Sequence, residues 1–384
     1  MNLRPDKPYR IAVNGRFLTQ PVTGVQRVAR EVVQALDAIV ASQRGVSIVL
    51  YCPPGADHRS LALSHTDVRL IGRASGAIWE QTELPSAVKE DVLLCLGNSA
   101  PCARLMAREP TAVMIHDLSY LKFPQAYRAG YRMFHRLMLP LITRHSSRLF
   151  LVSNSERDNL LEIEPRLKQR VSVVPNGSWS EHRAKPAAKP EKDCTTHGRP
   201  RDGYGLYVGS FSKRKNFERV VETAILLART ERLPFVFVGS GGRVLRHTKM
   251  TIPEDVRHLL HFEGQVDDLD HLGELYRNAR LLLFPSLYEA CPMPPLEAAH
   301  FDCPVVASNI PSMWERCGEG VTYCDPYSVE SIAAAAREVL AGGEQIRLRL
   351  QINRQRSHQV SWTRQAESVL RTLLSDAGFH SYSK

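Results

Sequence analysis

Short apolar runs alternate with helical patterns along most of the chain. In the first half, RIAV, VSIVLY, DVRLI, DVLLCL, TAVMI, RLFLVS and VSVVP have the apolar, β-branched character of strands. After Val25, apolar positions recur at Val28, Ala29, Val32 and Leu36, the spacing of one buried helix face. The pattern restarts in the second half with GLYV, a helix near 217–231, FVFV, LLHFEG, a helix near 269–278, RLLLFPS and PVVAS. Strand followed by helix, repeated, predicts a mostly parallel sheet covered on both faces, so the fold class is α/β in two similar units.

Between the units, SWSEHRAKPAAKPEKDCTTHGRPRDG is rich in Pro, Lys, Gly and small polar residues and has no apolar period, which reads as a linker or mobile loop. The expected division is a first domain over 1–178, a linker over 179–203 and a second domain over 204–362. A C-terminal helix, about 363–384, is expected to pack back onto the first domain. Open α/β sheets bind ligands at the carboxyl ends of their strands, so two such units predict a cleft between domains.

Length and composition agree with this division. A chain of 384 residues with 43% hydrophobic residues suits two domains, each with a sizeable core. No run approaches the ~18 apolar residues of a spanning helix, and the opening MNLRPDKPYR lacks the apolar segment of a secretory signal, so a cytoplasmic protein is expected. Eight cysteines, at 52, 95, 102, 194, 291, 303, 317 and 324, show no metal-ligand spacing and read as reduced thiols.

The formal net charge of +10 changes the picture by favouring an anionic partner, without choosing among nucleic acid, acidic lipid and phosphorylated substrate. No zinc finger, basic zipper or aromatic RNA-binding signature accompanies it, so nucleic acid is not expected. One stretch, YRAGYRMFHRLMLPLITRHSSR, interleaves Arg128, Arg132, Arg136 and Arg144 with Tyr131, Phe134, Leu137, Met138 and Leu141 at helical spacing. Two readings stand: a helix in peripheral contact with an acidic membrane surface, or a core-packed helix with a basic outer face. Pro140 is expected to interrupt or kink it.

Candidate chemistry concentrates in the second unit. In YVGSFSKRKNF, Gly209 and Ser210 follow a strand, and Lys213, Arg214 and Lys215 precede a helix. Small residues there let the backbone approach a ligand, and the cations suit a diphosphate. FVFVGSGGR supplies a second glycine-rich strand end, Gly239 to Gly242, without the G-x-G-x-x-G spacing of nicotinamide sites, and no P-loop motif occurs. Farther on, FPSLYEACPMPPLEAAHFDCPVVA holds Glu289 and Glu297 eight positions apart. Glu289 is placed on a strand-to-helix loop and Glu297 in the first turns of a helix opened by Pro294 and Pro295. Carboxylates accept hydrogen bonds, so this pair matches a hydroxyl-rich molecule, a sugar and a ribose, flanking a diphosphate held by Arg and Lys.

GSFSKRKN, FEGQVDDLDHLGELYRNARLLLFPSLYEACPMPPLEAAHFDCPVVAS and, upstream, TGVQRVARE, VMIHDLSYLKFP and VSNSERDNLL resemble, in collinear order over most of the chain, the family 4 retaining glycosyltransferases of GT-B fold. The resemblance implies two Rossmann-like domains whose parallel sheets face an interdomain cleft, the first binding the acceptor and the second the nucleotide-sugar. It implies that Glu289 contacts the donor sugar near the developing oxocarbenium charge and that Glu297 binds the nucleotide ribose. Arg214 and Lys215 would neutralise the donor pyrophosphate without a metal or cofactor. His116, ending the AVMIHD strand, corresponds to the family's active-site histidine beside the donor sugar. Gly24 matches the glycine that lets its loop approach donor phosphate or acceptor, and GQVDD, with Val266, the segment whose backbone meets the nucleobase. Ser210, Gly239, Met293 and Pro294 complete the donor side.

Two departures bear on specificity. Many members have E-G-F-G-[LM]-P where this chain has EACPMP, so Pro292 removes a backbone donor from the sugar-binding loop. Ser210 stands where many relatives have Arg, which leaves the Lys213 to Lys215 cluster to carry the phosphate charge. The expected activity is retaining transfer of a sugar, with mannose from GDP-mannose as the donor of choice, to a glycan or lipid-linked glycan in surface-polysaccharide synthesis. A sugar-nucleotide epimerase, a phosphorylase and a noncatalytic anion-binding protein are the alternatives.

Overall fold

In the computed structural model, residues 8–43, 45–179, 203–240 and 252–379 are described. The chain forms two compact units, Met1–Gly177 together with Val360–Lys384, and Ser178–Gln359.

The first unit is built on a seven-stranded parallel sheet of order β3-β2-β1-β4-β5-β6-β7. Its strands are β1 (Tyr9–Asn14), β2 (Val46–Cys52), β3 (Asp67–Leu70), β4 (Val92–Cys95), β5 (Thr111–Ile115), β6 (Arg148–Leu151) and β7 (Val171–Val173). β4 and β5 are buried at every position, which is why they read in sequence as unbroken apolar runs: helices cover both sheet faces. Edge strand β3 is mostly exposed, and its Asp67 and Arg69 pair at 3.1 Å, placing charge where an open strand edge would otherwise invite association. The Gly24–Val40 helix buries Val28, Ala29, Val32 and Leu36, the periodic face. Against it packs the C-terminal Trp362–Asp376 helix. Gly177 permits that helix's close approach, since a Cβ there would lie 2.5 Å from the Trp362 ring.

The second unit repeats the plan with six parallel strands, β8 (Tyr204–Val208), β9 (Phe235–Val238), β10 (Leu260–Gly264), β11 (Ala279–Phe284), β12 (Val305–Ser308) and β13 (Thr322–Cys324), in the order β10-β9-β8-β11-β12-β13. Its core joins Tyr207, Phe217, Phe235, Phe237, Leu281 and Leu283. Each such large side chain contributes roughly 1.5–3 kcal/mol when fully buried. In both sheets the strand order reverses once, between β1 and β4 and between β8 and β11; at these switch points the flanking loops part and leave a crevice outside the carboxyl ends.

Two expectations are modified. The helix carrying Pro140 runs unbroken from Ala129 to His145. Arg136 and Pro140 both lie on its exposed side, so water can replace the hydrogen bond to the Arg136 carbonyl that proline, lacking an N–H, does not make. Trp179, at the start of the stretch read as a linker, is buried edge-on against Phe301 at 4.7 Å in the second unit; residues 180–202 lie outside the described residues. No two of the seven described cysteines are joined by a disulfide, and Cys194 lies outside the described residues.

Candidate functional site

The switch point of the second sheet collects the charged residues singled out in the sequence. After β8 the chain turns through Gly209 and Ser210 into Lys213, Arg214 and Lys215; after β11 it enters the loop that carries Glu289. The two loops are stitched together by main chain as well as by charge. Leu287 N–H donates to the Arg214 carbonyl at 2.9 Å, and Arg214 Nη1 donates to the Tyr288 carbonyl at 3.0 Å. Lys215 Nζ lies 2.6 Å from Glu289 Oε1, and Arg214 Nη1 lies 3.4 Å from Oε2.

Glu289 is only 7% exposed. Burial pushes its carboxyl up, but the Lys215 and Arg214 charges, with the hydrogen bond from Lys215, outweigh burial and hold it below the ordinary glutamate value. It is therefore ionised at neutral pH. Two cations around one carboxylate leave net positive charge at the crevice, the condition for attracting an anion.

Asn216, which the sequence did not single out, organises the same corner. It holds a left-handed backbone at φ 57° ahead of the Phe217–Thr230 helix. Its Nδ2 donates to the carbonyls of Pro285 at 2.9 Å and Pro326 at 2.6 Å. An asparagine before a helix ordinarily reads as an N-cap, but this side chain ties three loops together instead. Arg316, also missed, is buried and donates from Nε to the Pro292 carbonyl at 3.2 Å, bracing the EACPMP loop. Nothing in the spacing of either residue signals these partners, which lie 24 to 110 positions away.

The remaining donor-side candidates occupy the same carboxyl edge or the elements behind it. Ser210 is exposed, its hydroxyl 3.2 Å from that of Ser212. Gly239, at the end of β9, has φ 139°, and a Cβ there would come within 2.0 Å of the Gly209 carbonyl; only glycine lets these two strand ends approach. Gly241 and Gly242 lie outside the described residues. Val266 follows β10, half-buried, just before Asp268 caps the Leu269–Asn278 helix. Met293 and Pro294 open the Pro294–His300 helix, and the Met293 carbonyl accepts the Glu297 N–H at 3.0 Å. Glu297 itself is 1% exposed and accepts from the Tyr276 hydroxyl at 3.0 Å. The structure thus brings Arg214, Lys215 and Glu289 into one cluster and seats Glu297 between two helices.

In the first unit, His116 ends β5. Its backbone N–H donates to Asn98 Oδ1 at 2.6 Å, and its ring Nε2 lies 2.9 Å from the Leu96 carbonyl. A carbonyl can face only a donor, so Nε2 carries the proton and Nδ1 remains an acceptor. Burial pushes the imidazole below its ordinary value, so it is neutral at pH 7. Gly24 is exposed at the first position of the Gly24–Val40 helix. At the β1/β4 switch point, buried Glu80 accepts from Asn14 Nδ2 at 2.7 Å and Ser99 Oγ at 2.9 Å and pairs with Arg16 at 3.2 Å, a network the sequence did not reveal.

Comparison with known proteins adds family relations to this geometry. Residues 197–356 match the family described as glycosyl transferases group 1, and residues 22–178 match Glycosyltransferase Family 4. The chain is similar to the O-antigen chain mannosyltransferase B of Escherichia coli, 33% identical over 135 residues, covering 34% of this chain and 35% of that protein. It is similar to the O-antigen chain mannosyltransferase RfbU of Salmonella typhimurium, 22% identical over 227 residues, covering 59% and 60%. The matched stretches thus span less than two thirds of either relative. Among solved structures, sucrose-phosphate synthase from Thermosynechococcus elongatus superposes with a TM-score of 0.70 at 17% identity, covering 95% of this chain and 99% of that one. The Anabaena protein HepE, solved with UDP and glucose, superposes with a TM-score of 0.68 at 15% identity, covering 96% and 100%. These likenesses show a shared fold.

Proposed function

Because the chain belongs to the family 4 glycosyltransferases of GT-B fold, we propose that it transfers a sugar, with retained anomeric configuration, from a nucleoside diphosphate donor to a glycan or lipid-linked glycan acceptor. The observation that carries this reading is the cluster of Lys215, Arg214 and Glu289 at the switch point of the second sheet. In the reaction, Lys215 and Arg214 bind the diphosphate and stabilise the negative charge that grows on it as the glycosidic bond breaks. Glu289, held ionised, faces the positive charge that develops on the departing sugar. Glu297 binds the ribose hydroxyls and His116 the donor sugar. The leaving phosphate takes the proton of the attacking acceptor hydroxyl, on the same face of the sugar.

The donor is GDP-mannose and the setting surface-polysaccharide synthesis; the likeness to two O-antigen mannosyltransferases supports the mannose and the setting. An acidic membrane surface is the peripheral partner. On the Ala129–His145 helix, Arg128 at its cap, Arg136 and Arg144 are exposed beside Met133 at 59% and Leu137 at 64%, and the helix carries no acidic residue. No described helix is long and apolar enough to cross a membrane.

The test is product analysis across GDP-, UDP- and dTDP-sugars with a mannan oligosaccharide acceptor. A new glycosidic bond of the donor's own anomeric configuration is the expected product. An epimerised sugar from donor alone, or a sugar phosphate formed with orthophosphate, would replace it with the epimerase or phosphorylase reading.

A further inference from the structure

We propose that Asn216 is the positioning residue of the candidate diphosphate site: its side-chain amide fixes the loop after β11 against the turn after β8, and so sets where Lys215 presents its ammonium. The proposal rests on the reading of Lys215 as a phosphate ligand.

The turn that carries Lys215 closes in the way helices end. Phe217 N–H donates to the Ser212 carbonyl at 3.3 Å and Asn216 N–H to the Lys213 carbonyl at 3.0 Å, with Asn216 in the left-handed region at φ 57°. This is the Schellman pattern, whose left-handed position is ordinarily glycine because glycine has no Cβ to strain there. The backbone alone therefore does not call for asparagine at 216. What asparagine adds is an amide, and both ends of that amide are engaged. Nδ2 donates to the Pro285 carbonyl at 2.9 Å and the Pro326 carbonyl at 2.6 Å, while Oδ1 accepts from Arg219 Nη1 at 3.0 Å. With the residue buried and its donor and acceptor committed at once, the side chain keeps one orientation.

Pro285 is the informative partner. It lies in the chain between the two groups that hold the Lys215 ammonium: Phe284, whose ring centroid is 4.9 Å from Nζ, and Glu289, at 2.6 Å. Asn216 directly follows Lys215, so its bond to Pro285 fixes the separation of the lysine backbone from both groups. A lysine ammonium is a point charge on a flexible four-carbon stem, which aims well only when the backbone and the contacts along the stem are fixed. Ordering it before the ligand arrives lowers the entropic cost of binding.

The test is a double-mutant cycle read by titration calorimetry with GDP and UDP, on the full chain as parent, Asn216→Gly, Lys215→Ala and the double variant, with circular dichroism showing which of them fold. Asn216→Gly keeps the left-handed turn and deletes only the amide. It should weaken binding of the preferred nucleoside diphosphate about tenfold when Lys215 is present and less than about twofold when Lys215 is alanine. The same fold loss in both backgrounds, or undiminished binding by a folded Asn216→Gly protein, overturns the proposal, since a residue that only supports the fold gives additive losses. If Asn216→Gly fails to fold, Asn216→Asp goes through the same cycle, because aspartate tolerates the left-handed backbone and keeps the acceptor for Arg219 while losing the donor. Failure of both variants to fold makes Asn216 a purely structural residue and likewise overturns the proposal. Lys215→Ala binding like the parent, or a parent that binds neither nucleotide, rejects the diphosphate reading and the proposal with it; additive losses alongside a weakened Lys215→Ala reject only the role of Asn216.

Discussion

Replacing Glu289 by Gln tests whether the buried ion pair at the candidate site is as the structure describes. The substitution keeps volume and one acceptor oxygen but removes the charge that Lys215 Nζ meets at 2.6 Å. Removing one partner of a buried pair costs about 3–5 kcal/mol, and the surviving neutral hydrogen bond returns about 1 kcal/mol, so a loss of about 2–4 kcal/mol is expected at pH 7. Arg214 keeps its bond to the Tyr288 carbonyl and adds little to the loss. For a unit of this size the change corresponds to a fall in melting temperature of roughly 4–16 °C.

The pH dependence fixes the sign. The folded-state value of Glu289 is depressed, so its contribution is fully present above the unfolded value, about 4.3, and is lost as pH falls through the folded value. The gap in melting temperature between parent and Glu289→Gln should therefore be widest at pH 6–7 and close as the pH drops below about 4. Calorimetric melts of both proteins from pH 7 to pH 3 measure this directly. A variant as stable as the parent at pH 7, or a gap that stays constant with pH, would refute the reasoning. With the carboxylate in its proposed place beside the developing charge, the same substitution should lower kcat by about 10²–10³ with donor KM near the parent value.

Glu297→Gln should instead raise donor KM with a smaller effect on kcat, because ribose contacts are equal in ground and transition states; steady-state kinetics with the identified donor show the split. Changing Arg128, Arg136 and Arg144 together to Gln should abolish sedimentation with anionic liposomes, each basic residue contributing about 1 kcal/mol, and high salt should have the same effect on the parent. Arg132 is left out because it donates to the Pro124 carbonyl at 3.2 Å. Gly239→Ala drives a Cβ to 2.0 Å from the Gly209 carbonyl and should destabilise the second unit by at least about 2 kcal/mol in thermal melts, with donor binding weakened as the strand ends part.

What the sequence disclosed follows from periodicity. β4, β5, β9 and β12 were legible because strands covered on both faces must be apolar throughout. β13 (Thr322–Cys324) was missed where the equally short edge strand β7 was legible, because VSVV marks β7 with a β-branched run and TYC has no such run. The residue types of the site were legible in KRKN and in the spacing of Glu289 and Glu297, but their partners were not. Lys215 and Glu289 are 74 positions apart, and only the parallel order β8-β11 makes them neighbours. Glu297 illustrates the same limit, since its partner Tyr276 belongs to a separate helix.

The central claim is that Lys215 and Arg214 form a diphosphate site, and the most direct measurement is the affinity of the parent and of Lys215→Ala for GDP and UDP by titration calorimetry. A charge-assisted contact to phosphate is worth about 1.5–3 kcal/mol, so the variant should bind the preferred nucleoside diphosphate roughly tenfold to a hundredfold more weakly, with circular dichroism showing that it folds. An unchanged dissociation constant in a folded Lys215→Ala protein would contradict the account.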